Sequence, residues 1–161
     1  MAETNRRPWM FPDGYEKFAS LVREHMVLSI LQQAVWYDVR RMSDGYKFAR
    51  VYRRLAEQVA LKAGQKRQQV RQELRRLGGS IVMEQQDDMA RQVSARFRGR
   101  MYTVRFQNEW LRVCCEKQLV HLLARVLLEM VKEQGQFEAE KRGVPERRGG
   151  MDEAGTSDDA R

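Results

Sequence analysis

At Gly78-Gly79 the spacing of apolar residues switches from a helical period to a strand period, and this decides which folds the chain can adopt. Before the switch, Leu21, Leu28, Leu31, Val35, Val39 and Met42 recur at helical spacing, predicting a first helix over Tyr15–Met42. Phe48, Tyr52, Leu55, Val59, Ala63, Val70, Leu74 and Leu77 form a second helical stripe over Tyr46–Leu77. After it, Ser80–Gln85 reads as a short strand. Val93, Ala95 and Phe97 alternate with Ser94, Arg96 and Arg98, and the alternation resumes through Tyr102, Val104 and Phe106. Two such runs joined at Arg98-Gly99 predict a hairpin, and the three together an antiparallel meander. Asn108 then suits the N-cap of a third helix, Glu109 to about Lys132. The expected class is α+β, mainly helical, in the order α-α-β-β-β-α.

Met26, Val27, Ile30 and Ala34 widen the first stripe beyond one face, which places that helix in the middle of the fold. Ser43-Asp44-Gly45 offers cap and turn chemistry, and so short a link makes the first two helices antiparallel. Gly64, with Lys66 on the apolar stripe, marks a place where the second helix is expected to kink or reset its phase. Residues 1–13, with Pro8 and Pro12, read as an extended arm, and residues 14–135 as one globular domain. Residues 136–161 mix Gly, Pro, Glu, Arg, Asp and Ser and are expected to be a disordered tail. The N-terminus lacks a signal peptide's apolar run, and Met26–Val35 is too short for about 30 Å of hydrocarbon. Cys114 and Cys115 are adjacent on a helix and poorly placed to bridge each other, which fits a cytoplasmic protein.

The net charge of +8 is concentrated: between Arg40 and Arg76 twelve Lys/Arg face three acids. Arg50, Arg53, Arg54, Arg71 and Arg75 fall opposite the apolar stripe of the second helix, and the hairpin adds Arg96, Arg98 and Arg100. Arginine suits phosphate because its planar fork donates two parallel hydrogen bonds. These eight residues are the candidate binding set for nucleic acid or an acidic protein surface. The competing reading is that they only solvate helix and strand faces.

Four runs carry a family resemblance: His25–Leu31 (HMVLSIL), Gly45–Leu55 (GYKFARVYRRL), Leu74–Gln85 (LRRLGGSIVMEQ) and Phe97–Phe106 (FRGRMYTVRF). Over roughly residues 20–125 the chain resembles a group of small uncharacterised proteins of Bacillus and related endospore-forming bacteria. The resemblance implies a fold and a bacterial host and transfers no site residue.

Other chemistry is thinly represented. Cys114, Cys115, His25 and His121 lack the paired spacing of structural zinc sites, so neither metal nor cofactor is expected. There is no Gly-x-Ser-x-Gly elbow, Walker loop or dinucleotide fingerprint. Glu84, Asp87 and Asp88 fall in a polar turn, where solvated carboxylates without a raised pKa are expected rather than an acid–base pair. The resulting expectation is a non-enzymatic binding or accessory domain leaning to nucleic acid, with no membrane association. The alternative is a protein-interaction or structural module able to form a homodimer, with Leu61 and Trp110 as exposed anchors.

Overall fold

The computed structural model describes residues 11–142, with side chains to residue 135. Most of the expected N-terminal arm, and the C-terminal segment from residue 143, lie outside the described residues. The element order is α1 (Tyr15–Arg41), α2 (Ala49–Arg76), β1 (Gly79–Gln86), β2 (Ala90–Phe97), β3 (Arg100–Gln107) and α3 (Asn108–Arg142). The strands form an antiparallel sheet in the order β1-β2-β3. The α-α-β-β-β-α reading of the sequence therefore holds. The chain divides into two compact units, Met1–Leu128 and Glu129–Arg161. What is described of the second is continuous helix to Arg142, passing through Gly135 and the expected end near Lys132. Glu133, Gln134, Gln136, Glu138, Ala139 and Lys141 are good helix formers and offset a single glycine's cost of about 1 kcal/mol.

α1 is the central element of the first unit, and its wide stripe is buried from Phe18 to Val39. α2 packs along it through Val59, Ala60, Ala63, Val70 and Leu74. Gly64 brings no break: α2 is continuous from Ala49 to Arg76. A Cβ at Gly64 would lie 2.5 Å from the Gln32 side-chain nitrogen, so the glycine leaves room for Gln32 of α1. Lys66, at the margin of the apolar stripe, reaches Glu24 of α1 at 2.8 Å.

The link between α1 and α2 is longer than the three-residue turn expected. Ser43 Oγ accepts from the Gly45 N–H at 3.2 Å, and Arg53 donates to the Met42 carbonyl at 3.1 Å and to Asp44 at 2.6 Å. Ser43 and Asp44 are thus used within the turn, so α2 starts late, at Ala49, without a side-chain cap. Phe48 and Tyr52, expected on the buried stripe, are 55% and 53% exposed, because α1 has already ended where they project.

Gly78 stops α2 as expected, in the left-handed region at φ 78°. The strands pair from Gly79 opposite Phe97, with an irregularity between Ile81 and Met83. Val82 is the extra residue of this bulge, and it resets the alternation of β1. Gly79, Ile81 and Glu84 then share a face with Phe97, Ala95 and Val93, while Ser80, Met83 and Gln85 share the other with Arg96, Ser94 and Gln92. The first of these faces meets α1. Phe18 of α1 stacks on Phe97 of β2 with ring centroids 4.5 Å apart and planes 15° apart, and Tyr15 and Tyr102 close the cluster. Arg98 and Gly99 turn β2 into β3 with φ of 47° and 80°, the two left-handed positions of a type I′ hairpin.

α3 buries Leu111, Leu122 and Val126 and meets α1 at Cys115, whose thiol donates to the Val27 carbonyl at 3.6 Å. Asn108 does not act as expected. Its side-chain amide donates to the carbonyls of Asp87 and Asp88 at 3.3 and 3.1 Å, tying the start of α3 to the β1–β2 loop. Among the described residues no helix is long and apolar enough to cross a membrane.

The tightest backbone approach in the core is testable. A Cβ on Gly79 would lie 2.8 and 2.9 Å from ring carbons of Phe18 and 3.2 Å from the Leu74 carbonyl oxygen. Gly79→Ala should cost about 2 kcal/mol by overpacking, and Phe18→Leu should cost less in that background than alone, measured by urea unfolding. Strictly additive costs would show that the ring and the Gly79 Cα do not press on each other.

Candidate functional site

The eight arginines do not form one surface. Arg50, Arg53 and Arg54 lie in the first two turns of α2, and Arg71 and Arg75 in the last two. Between Arg54 and Arg71 the helix advances about 26 Å, at 1.5 Å per residue. Arg53 is half-buried and held by Asp44 and the Met42 carbonyl, so it serves the turn rather than a binding face. Arg50, Arg54, Arg71, Arg75, Arg96, Arg98 and Arg100 are exposed.

The hairpin joins only one of these groups. The Arg98 N–H donates to the Gly78 carbonyl at 3.1 Å, so the β2–β3 tip is fastened to the end of α2 that carries Arg71 and Arg75. Arg100 pairs with Phe97 on the helix-facing side of the sheet, whereas Arg96 lies on the opposite side, between Ser80 and Met101. Arg71, Arg75, Arg98 and Arg100 therefore gather at one end of the fold.

Beside Arg71 and Arg75 runs a groove of about 480 Å³ along α2. Arg67, Arg71 and Arg75 line it at one-turn spacing, with Gln32 entering from α1 and Gln68 and Gln72 alongside. No carboxylate lines it, and among the described residues neither Arg71 nor Arg75 forms an ion pair. Arg67, anchored to Ser29 Oγ at 3.2 Å, was missed by the sequence reading, although its four-residue spacing from Arg71 could have revealed it. The arrangement is a row of guanidinium donors flanked by neutral amides, suited to an extended anion such as a phosphate backbone.

The remaining candidate groups have structural roles. The bulge at Val82 turns Glu84 toward α1, where its carboxylate lies 3.3 Å from the ring Nε2 of buried His25. Glu84 is thus a strand residue paired across the sheet–helix contact, as the Ser80–Gln85 strand implies, and not a member of the polar turn with Asp87 and Asp88. The His25 hydrogen bond holds its pKa below the usual value against the opposing effect of burial, with help from the charges of His25, Arg91 and Arg67. Asp87 is also lowered, first by the N–H groups of Met89 and Ala90 that its Oδ1 accepts at 2.8 and 2.6 Å. Arg105 lies 2.9 Å from its other oxygen. Burial, with the neighbouring Cys114, pushes the Cys115 thiol up to about 11, leaving it protonated near neutrality. Among the described residues no three of His, Cys, Asp and Glu gather as a metal site. Leu61 and Trp110 are exposed at 48% and 39%, Trp110 stacking on Phe106 with Arg23 across its ring.

Residues 14–127 match the YhjD protein family, and the chain belongs to that family. No curated protein and no solved structure matches it.

The His25–Glu84 pair predicts a pH dependence. Because the folded pKa of Glu84 is depressed, its stabilisation is present above the unfolded value near 4.5 and is lost as pH falls through the folded value. Glu84→Gln should destabilise the protein by about 1 kcal/mol at pH 6, discounted for partial exposure. The difference from wild type should shrink as pH is lowered below 4.5, read from urea unfolding at each pH. A pH-independent difference would mean that the carboxylate charge is not what His25 senses.

Proposed function

We propose that this member of the YhjD protein family is a non-enzymatic nucleic-acid-binding protein that contacts phosphates through Arg71, Arg75, Arg98 and Arg100. The observation that carries the reading is the Gly78–Arg98 backbone bond, which sets the hairpin tip beside the acid-free groove of Arg67, Arg71 and Arg75. Each exposed guanidinium there can exchange a condensed counterion for a phosphate contact, and binding of this kind does not depend on sequence. The glutamines beside the arginines add neutral donors for phosphate and sugar oxygens. The resemblance to proteins of Bacillus and related endospore-formers supports a bacterial host, and the two free, half-buried cysteines fit its reducing cytoplasm.

A second reading, self-association as an interaction module, is favoured by α3. Opposite its buried side, Val113, Val120, Leu127 and Leu128 form an exposed apolar stripe. Such a stripe is a candidate homodimer surface, with the charge then serving mainly solubility.

Salt dependence separates the two. The logarithm of the association constant for a mixed-sequence duplex should fall linearly with log salt, with a slope of about −0.9 per phosphate contact and about three contacts or more. Arg71→Gln with Arg75→Gln should make that slope shallower by about two contacts, with unfolding unchanged because both residues are exposed. Absence of binding at about 50 mM salt, where such contacts are strong, together with concentration-dependent sedimentation, would move the assignment to self-association.

A further inference from the structure

α3 has two opposite faces, and the contacts of the first unit use one of them. Leu111, Leu122 and Val126 are buried, and Cys115, on the same side, donates to the Val27 carbonyl of α1. On the other side Val113, Val120 and Leu127 are exposed, Val120 at 65%, and Leu128 beside them at 62%. Their order is stricter than that of a generic apolar face. Val113, Val120 and Leu127 recur every seven residues, and exposed Lys117 and Ala124 stand four residues after the first two. Alternating steps of four and three along one line are the heptad of a coiled-coil seam, with Lys117 and Ala124 at a and Val113, Val120 and Leu127 at d. Such a repeat matches the grooves of another helix, and α1 lies on the side of α3 that carries Cys115.

The charges on this face indicate which helix completes it. Lys117 is the one charged residue on the seam line, and among the described residues it has no ion pair. Glu116, one residue earlier at g, is exposed and held only by Arg112 of its own helix, at 3.6 Å. In a parallel pair of helices in register, an a-position side chain enters a hole bounded by the d and g residues of the facing helix. If the facing helix is a second α3, Lys117 enters between Val113 and Val120 with Glu116 at its side, and the two-fold axis repeats the pair. An antiparallel pair centred on Val120 instead sets Lys117 against Leu123 and Glu116 against Ala124, leaving both charges unmatched.

We infer that the exposed face of α3 is completed by α3 of a second copy of this chain, in a parallel two-fold coiled coil in which Lys117 of each copy pairs with Glu116 of the other. The inference rests on the self-association reading and deepens it by naming the surface, the orientation and the register; it does not depend on the arginine groove. Ala124, small and central, lets the two helices approach closely. Leu128, at e, meets Leu123 of the second copy, at g, and extends the apolar contact to one side. A lysine at a costs stability relative to an aliphatic residue but fixes the register. From Val113 to Leu128 the seam is about 22 Å long at 1.5 Å per residue, so the dimer should dissociate on dilution.

Sedimentation of the full chain across a concentration series should show a reversible monomer–dimer equilibrium. Val120→Glu with Leu127→Glu should raise its midpoint about tenfold or more, with urea unfolding of the dilute protein unchanged because both residues are exposed. Lys117→Glu should weaken the dimer, and adding Glu116→Lys should restore it, because the exchanged charges still meet across a parallel seam. Val113→Cys, in a chain carrying Cys114→Ser and Cys115→Ala, should join two copies on mild oxidation. The antiparallel arrangement would hold the two thiols about 21 Å apart. If that chain fails to fold, the charge exchange tests the orientation with the native cysteines in place. A monomer at every concentration would overturn the seam and the self-association reading together. Association that survives the two glutamates would leave self-association on another surface and overturn the seam. A dimer that the charge exchange does not restore would overturn the parallel register.

Discussion

The sheet end of this protein depends on one contact, the stacking of Phe18 on Phe97. The two rings come from α1 and β2 and are both almost wholly buried. A three-stranded meander has little independent stability and must lay one face on something else. Here that cover begins with a single ring, pressed so closely against the backbone at Gly79 that the first residue of β1 can carry no side chain. The constraint propagates outward. With Gly79 fixed under Phe18, Gly78 must reverse the chain in the left-handed region, and its carbonyl is left pointing at the Arg98 amide. The basic hairpin tip is thus positioned by an apolar contact on the other side of the same strands.

A second consequence of the sheet's placement is electrostatic. Val82 inserts one residue into β1, so a polar side chain faces α1 where alternation would have presented a different one. Part-exposed Glu84 and buried His25 answer each other there, and His25 is less costly to bury because the carboxylate is present. Arg91 and Arg67 add to the field at the carboxylate without lying in its hydrogen-bonding geometry. The result is a polar pin between helix and sheet, linked through Arg67 to the arginine groove.

Much of this was legible in the sequence, because periodicity is a direct imprint of burial. The change of period at Gly78-Gly79 placed the meander, and the breadth of the α1 stripe placed that helix in the centre. What periodicity does not carry is where a neighbour ends. Phe48 and Tyr52 have the phase of core residues but project past the end of α1, so a pattern measured along one helix assigned them to the wrong environment. The same limit broke up the arginine set. Arg50 and Arg75 share a side of α2 on a helical wheel, yet the helix is long enough to hold them at separate ends, and only the strand register divides Arg96 from Arg100. Glu84 belongs to the Ser80–Gln85 strand but was grouped with the turn acids Asp87 and Asp88, and no single residue type announces the bulge that faces it to α1. Asn108 has the right chemistry for a cap, but the loop carbonyls of Asp87 and Asp88 compete for its amide.

The irregularity at Val82 also bears on how the molecule behaves in a crowded solution. β1 is an outer strand of the sheet, and its far edge presents backbone donors and acceptors with no partner strand. A flat edge of eight residues would be a template on which another copy could extend the sheet without limit. The bulge accentuates the local twist and interrupts the even spacing of those groups, so an incoming strand could match only a few of them before falling out of step. The residue that turns Glu84 inward therefore also makes the β1 edge a poor template for a further strand.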